Sequence, residues 1–322
     1  MSLVSVIIPT FHRPTLVGRA VESVLAQTVA DIEVIVVVDS RDDATVEALG
    51  TIRDPRLAVH VPDRHLGNAD ARNVGVGLAR SPWIAFLDDD DDWFPNKLER
   101  QLPLAVAGEP GSHPIISCRV LVRGSGGTMI WPRRLPDPGE NLSEYFFCRR
   151  TPFTGEGMVT TTSILTTREL MTRVPFASGL TRHEDPDWVL RAVRYPGAFL
   201  QFVPDEAPLL TWYMEHDRPR ISTRPDWMAS RAWANDNREL FSDRGYASFL
   251  LHVASSAAAS QRAWSAFVVL LREATRDGSP RLVDLASHIA NFAIPAPAMR
   301  RVAGWYGSLK ARHGREGLRR DQ

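Results

Sequence analysis

The segment Ile32 to Val38 constrains this chain more than any other: every position except Glu33 is Val or Ile. Side chains branched at Cβ are stiff at χ1 and fit a pleated surface better than a helix, so the run reads as a strand. An alternating pattern would leave one face for water, but this run is apolar at nearly every position. It therefore asks for cover on both faces, the environment of a parallel sheet sandwiched by helices. The neighbouring segments supply that context. Val4, Val6, Ile7 and Ile8 form a second β-branched run closed by Pro9, and Leu57–Val61 and Trp83–Leu87 read as two further strands. Between them lie helical patterns. One opens at Pro14, a favoured first helical position, and puts Leu16, Val17, Ala20, Val21, Val24 and Leu25 on one face. A polar helix follows over Asp42–Leu49, and a third, over Asn68–Ala79, carries Ala71, Val74, Gly75 and Leu78. Alternation of this kind predicts an α/β fold with a doubly wound, mostly parallel, Rossmann-like sheet. In such sheets ligands bind outside the carboxyl ends of the strands. The ends at Pro9-Thr10, Asp39-Ser40 and Asp88 are thus expected to share one crevice.

The rest of the chain is less regular. A helix after Pro95 carries Leu98, Leu102 and Ala105, and short strands are expected over Ile115–Val122, Ser163–Thr166 and Phe199–Val203. Long irregular connections in between suit a binding surface. From about Asp226 the pattern turns helical, with Ser248–Val253, Trp264–Glu273 and a break at Gly278-Ser279-Pro280. The expected division is 1–110, 111–222 and a C-terminal helical extension over 223–322. Lys+Arg and Asp+Glu are both 38, so net charge offers nothing to nucleic acid, and functional charge has to be local. Cys118 and Cys148 have no CxxC spacing and read as reduced thiols. The opening MSLVSVIIPT reads as a strand and not as a signal, and no stretch approaches the ~20 uninterrupted apolar residues needed to span a bilayer.

The most concentrated charge is the run Asp88 to Asp92. Adjacent carboxylates repel one another unless water or a cation compensates them. Hard divalent ions prefer oxygen ligands, and magnesium commonly takes one or two carboxylates with substrate phosphates completing its shell. In an extended segment Asp88 and Asp90 would project to the same side and reach one ion. For Asp91 and Asp92 a plainer role is at least as good: complementing the positive end of the helix that follows Pro95.

Four segments in order, VSVIIPTFHRP, IEVIVVVDS, GNADARNVGVGLARSPWIAFLDDDDDW and HEDPDWVLR, resemble the family 2 glycosyltransferases of the GT-A fold over about two thirds of the chain. The resemblance implies an inverting enzyme that moves a sugar from a nucleotide-diphosphate donor, a UDP-sugar first, to an acceptor hydroxyl. Cell-surface polysaccharide or glycoconjugate synthesis is the implied setting. Residues 1–110 then form the nucleotide-sugar half and 111–222 the acceptor half. Pro9, Thr10 and Arg13 correspond to the nucleotide-contacting opening, and Asp39 to the carboxylate that contacts the base. Asn68 and Arg72 fall in the loop and helix segment where a guanidinium pairs with phosphate or with the acidic cluster. Asp88 and Asp90 match the ends of the DXD metal motif, with Asp89 between them beside the nucleotide-sugar. Trp93, Pro95 and Lys97 read as a helix start with a structural Trp. Asp185 is the implied general base, with Glu184 its alternate; Glu184 pairing with Arg182 or Arg191 is the plainer reading.

His216 corresponds to a histidine that completes the metal shell, with Arg218, Arg220 and Ser222 near it. The implied cofactor is a divalent metal, Mn2+ or Mg2+. Two departures touch the nucleotide site: His12-Arg13 stands for Asn-Arg, and VDS for DDGS. A QxxRW motif is absent, so single transfers are expected and not chain extension. The acceptor is a carbohydrate, a lipid-linked sugar or another hydroxyl compound, and an oligomer is compatible with the sequence. The expected location is the cytoplasm, with peripheral contact at the inner face of the cell membrane through the basic, aromatic C-terminal segment around Trp305 and Tyr306. Gly304, Gly307, Gly314 and Gly317 weaken an amphipathic helix there and favour a docking helix with a basic tail. A sugar nucleotidyltransferase and a non-catalytic nucleotide-sugar-binding subunit are the alternatives. The first would want a Gly-rich basic loop after the first strand, which PTFHRPT does not supply; the second could dispense with Asp185.

Overall fold

The computed structural model describes residues 2–124, 127–150, 156–214 and 225–294. In chain order the elements are β1 (Val4–Thr10), α1 (Pro14–Leu25), β2 (Ile32–Val38), α2 (Asp43–Gly50), β3 (Leu57–His60), α3 (Asn68–Leu78), β4 (Trp83–Phe86), β5 (Asp92–Trp93), α4 (Lys97–Val106), β6 (His113–Ser117), β7 (Val120–Gly124) and β8 (Gly127–Trp131). Then follow α5 (Leu142–Phe147), β9 (Leu165–Thr167), α6 (Arg168–Arg173), α7 (Glu184–Ala192), β10 (Ala198–Phe202), β11 (Leu210–Met214), α8 (Trp227–Asp236), α9 (Asp243–Ser248), α10 (Ser255–Ser260), α11 (Ser265–Arg276) and α12 (Leu282–Ala293). They form two compact units, Met1–Leu135 with Gly157–Arg218, and Pro136–Glu156 with Pro219–Gln322.

The first unit is built on a seven-stranded sheet of order β10-β6-β9-β4-β1-β2-β3, in which only β9 runs antiparallel to its neighbours. This is the doubly wound, mostly parallel α/β sheet that the alternation predicts. Its centre is apolar on both sides. Val6, Ile8, Val34 and Val36 lie with Val17, Val21 and Val24 of α1 in one fully buried cluster. On α3, a Cβ placed at Gly75 would sit 2.4 Å from Ile7 Cγ2, so only glycine lets this helix approach β1 so closely. Glu33, the single polar residue of β2, is satisfied by Ser5 Oγ at 2.5 Å and by the Arg80 and Ser81 amides. Burial opposes its charge, but those hydrogen bonds outweigh burial and hold its carboxyl below the ordinary range. Register pairs Thr10 with Val38 and Ile7 with Phe86, so β1, β2 and β4 end along one edge.

Sequence expectation fails where two sheets meet. Ile115–Val122 is two strands, because the chain leaves the large sheet after Ser117 and enters a second, four-stranded sheet of order β5-β11-β7-β8 at Val120. The backbone is satisfied across this branch: Val203 N–H donates to the Ser117 carbonyl and Leu209 N–H to that of Arg119. Ser163–Thr166 likewise begins as a tight helical turn, Thr161–Ser163, before β9 pairs. In the second unit, Phe147, Trp233, Phe241 and Phe249 pack ring against ring. Ser248–Val253, expected as a plain helix, passes from α9 into a wider π-helical turn over Phe249–Ala254.

Candidate active site

The aspartate run sits just beyond β4, where the sheet geometry requires, but it is not extended. Asp91 N–H donates to the Asp88 carbonyl at 3.1 Å and closes a turn, so the strand-like spacing expected of Asp88 and Asp90 does not apply. The charges also diverge in their partners. Arg72 donates to Asp88 at 2.6 Å, Arg13 reaches Asp89 at 2.7 Å and Asp90 at 3.3 Å, and Arg19 meets Asp92 at 2.6 Å. Compensation by three arginines from α1, its N-terminal edge and α3 answers the repulsion inherent in the sequence.

Each member of the run then has its own role in the fold. Asp89 is buried, accepts from Thr10 Oγ1 at 2.7 Å, and burial pushes its carboxyl up to about 6 against the pull of Arg13. Asp91 accepts from Thr162 Oγ1 and from Tyr213 N–H, both at 3.3 Å. Asp92 lies in β5 opposite Thr211 and accepts from Tyr213 Oη at 2.6 Å. The helix-end role read for Asp91 and Asp92 is therefore corrected. They tie the second sheet together, while α4 begins at Lys97 with Glu99 as its first-turn acid. Trp93 is structural as read: its indole donates to the Thr162 carbonyl at 3.2 Å and its ring lies 3.9 Å from Lys97 Nζ.

Arg72 is the pivot of the site. It is 2% exposed, and besides Asp88 it donates to Glu184 at 2.7 Å. Burial works against its charge, yet Asp88, Glu184 and Asp185 together hold the guanidinium firmly protonated. The Asn68 side-chain amide, oriented so that its oxygen faces donors, accepts from Arg72 at 3.0 and 3.1 Å. Thus the first turn of α3, the end of β4 and the start of α7 are joined through one side chain. Glu184 does not pair with Arg182 or Arg191; Arg191 instead pairs with Asp187 one turn earlier, at 2.7 Å.

Helix α7 is anchored by the fully buried Trp188, whose indole donates to the Val174 carbonyl at 2.7 Å. Its first turn carries Glu184, Asp185 and Asp187, after His183 in the left-handed region at φ 63°. Burial pushes the His183 imidazole down to about 3, helped by Arg182, so that ring is neutral. Asp185 accepts from the Thr161 N–H at 3.2 Å and from the Thr161 hydroxyl. Burial raises its carboxyl above the ordinary range, with Arg72 and Thr161 pulling the other way. Glu184 is raised for the same first reason. A carboxylate kept partly dehydrated but oriented by donors is suited to accept a proton.

Asp39, at the end of β2, is buried and accepts from the Leu66 and Gly67 amides at 2.6 and 2.8 Å. His65 Nδ1 lies 3.0 Å from it, and the half-exposed Phe11 ring stands 4.5 Å from the His65 ring. Pro9 is buried in β1 opposite Val37. His216, Arg218, Arg220, Ser222 and the C-terminal segment lie outside the described residues. Among the described residues no three His, Cys, Asp or Glu side chains gather as a ready metal site, and no helix is long and apolar enough to cross a membrane. Cys118 and Cys148 are both free. Thr161, Thr162, Arg19 and Tyr213 were not singled out from sequence. Isolated hydroxyls and arginines carry no spacing signal; the polar TTTS run at 160–163 is a local cue that could have marked a turn.

Residues 5–174 match the protein family described as Glycosyl transferase family 2. The amylovoran biosynthesis glycosyltransferase AmsB of Erwinia amylovora is 28% identical over 218 residues, 65% of this chain and 69% of AmsB. The Escherichia coli protein WfaP, a UDP-Glc:alpha-D-GlcNAc-diphosphoundecaprenol beta-1,3-glucosyltransferase, is 37% identical over 102 residues, 32% of this chain and 41% of WfaP. The succinoglycan biosynthesis protein ExoO of Rhizobium meliloti is 40% identical over 104 residues, 32% of this chain, and that match spans only 30% of ExoO. Among solved structures, Staphylococcus aureus TarS residues 1–349 with UDP-GlcNAc superposes with a TM-score of 0.59 at 16% identity, covering 90% of this chain and 89% of that one. The Pyrobaculum calidifontis mannosyltransferase PcManGT with GDP-Man and Mn2+ gives 0.54 at 17% identity, covering 94% and 84%. At these identities the likeness establishes a shared fold.

Proposed function

This chain belongs to glycosyl transferase family 2, whose match spans residues 5–174, and from that premise we propose that it transfers a sugar from a UDP-sugar to an acceptor hydroxyl by a single inverting displacement in cell-surface polysaccharide synthesis. One observation carries the reading: Arg72 holds Asp88, at the ligand-binding edge of the sheet, and Glu184, beside Asp185, in one ion-paired network. In the proposed step the acceptor oxygen attacks the anomeric carbon, its proton passes to an Asp185 carboxylate oxygen, and the bond to the nucleoside diphosphate breaks. Thr161 orients the receiving carboxylate through its amide and hydroxyl. Thr10 and Arg13 hold Asp89 inward, and Asp39 fixes the 65–67 loop beside Phe11 and His65, where a base would lie.

The residues present fit a divalent cation of the magnesium or manganese kind. Asp88 and Asp90 supply hard oxygen donors beside two arginines, Arg72 at Oδ1 of Asp88 and Arg13 3.3 Å from Oδ2 of Asp90, a basic setting that also suits a diphosphate. Among the described residues no third His, Cys, Asp or Glu joins them, and diphosphate and water would complete the shell, which is usual for such ions. Bound so, the ion supplies Lewis-acid neutralisation of the leaving diphosphate. The names of WfaP and AmsB support a lipid-linked or polysaccharide acceptor.

The discriminating experiment is Asp185→Asn. Donor binding retained with turnover reduced by three or more orders of magnitude supports the base assignment. Unchanged turnover sinks it and turns attention to Glu184.

A further inference from the structure

Helices α11 and α12 of the second unit present a surface that a water-facing pair does not require. On α12 the exposed positions Leu282, Ala286, Ile289 and Ala293 recur at helical spacing and are all apolar. Leu282 is 85% exposed and Ile289 56%. On α11 Val268 is 67% exposed, and the Trp264 ring before it is 64% exposed while it packs 5.7 Å from the buried Phe292 of α12, so an exposed aromatic ring spans from α11 to α12. Single exposed apolar residues need no explanation, but a joined, aromatic-tipped set does.

The charges around this face select its occupant. Every acid between 264 and 294 is turned away or neutralised. Glu273 is buried on Arg231 at 2.6 Å, Asp284 is buried on His252 at 2.7 Å, and Asp277 is paired with Arg276 at 2.5 Å. With Arg276 spent on Asp277, the basic residues Arg262, Arg272 and Arg281 remain, and all three are exposed. Beyond Ile294 the sequence over 295–322 adds seven Lys and Arg against two acids, with Trp305 and Tyr306 among them. A protein partner of ordinary charge would not call for this one-sidedness. Apolar and aromatic side chains inside a basic rim match the interface of an anionic bilayer, where rings sit at headgroup level and each basic residue adds attraction. We propose that the exposed face of α11 and α12 docks on an anionic lipid surface.

The test uses the full chain and vesicles of phosphatidylcholine alone or mixed with phosphatidylglycerol, with no sugar nucleotide present, so the result is independent of the transfer reaction. The protein should sediment with the mixed vesicles, release as salt rises, and ignore the neutral ones. The exposed double change Val268→Asp with Ile289→Asp should weaken the association on the order of tenfold or more while leaving the melting temperature unchanged. Arg272→Gln with Arg281→Gln, also at exposed positions, should weaken it while preserving the apolar stripe. No association with mixed vesicles, or association indifferent to both variants, overturns the proposal. So does a stable dimer that the Asp variant splits into monomers, since a second copy would then be the occupant.

Discussion

Replacing Arg72 by Met removes the cation on which the candidate site converges and nearly keeps its volume. Two carboxylates lose their partner: Glu184, whose side chain is 16% exposed, and Asp88, which at 37% is substantially rehydrated by solvent. Breaking a buried ion pair from one side costs about 3–5 kcal/mol. Counting Glu184 in full and discounting Asp88 for screening leaves about 3 kcal/mol at pH 8. The loss should depend on pH in a definite direction. Burial already raises Glu184 and Asp185, and Arg72 is the largest influence opposing that rise on both. Without it their folded-state pKa values climb further above the unfolded ones. A group raised in this way favours folding below its unfolded pKa and loses that contribution as pH rises through the folded value. The deficit of Arg72→Met against wild type should therefore be largest near pH 8 and shrink toward pH 5. Urea unfolding of both proteins at pH 5, 6.5 and 8 measures it. A deficit below about 1 kcal/mol at pH 8, or one that is flat with pH, would refute the claim that Arg72 is the charge compensating this site.

Three further outcomes follow from individual contacts. Thr161→Val removes the hydroxyl that donates to Asp185; a hydrogen bond to a charged acceptor is worth about 1.5–3 kcal/mol, so the acid limb of the kcat/KM profile should move alkaline by roughly one to two pH units. An unmoved limb would show that Asp185 is not the titrating base. Asp89→Asn exchanges a buried carboxyl, raised from 3.8 to about 6, for a neutral isostere. Relative to wild type it should gain on the order of 2–3 kcal/mol above pH 6, an advantage that fades below pH 4, where Asp89 is protonated in both states; melting curves across that range decide. Gly75→Ala gains about 1 kcal/mol of helix propensity but drives a methyl to 2.4 Å from Ile7 Cγ2, so overpacking of about 1–3 kcal/mol should win and lower the urea midpoint.

The large sheet was legible because its strands carry their own evidence. Ile32–Val38 is bounded by Asp39 in sequence and in structure alike, and Pro14 opens α1 as its fixed φ suggests. The second sheet was not legible, since β5 has two residues and β11 pairs with β7 from some 90 positions away. Nothing local in LTWYM distinguishes a strand that joins β7 from one that joins the main sheet. The same limit governed the site. Strand ends fixed where Thr10, Asp39 and Asp88 would gather, because register is a property of the sheet. The choice of Glu184 as the partner of Arg72, over the nearby Arg182 and Arg191, depends on how α7 is seated by Trp188, which spacing along the chain does not encode.

The account rests on a nucleotide-sugar binding beside Asp88 with a divalent ion. Thermal melting of wild type and Asp88→Asn, each with a panel of UDP-sugars in manganese, in magnesium and in chelator, tests that most directly. Ligand bound only to the folded state must raise its stability. The prediction is a rise in melting temperature for wild type with one UDP-sugar, present with metal, lost in chelator and lost in the variant. No rise with any UDP-sugar, or a rise of equal size in Asp88→Asn, would contradict it.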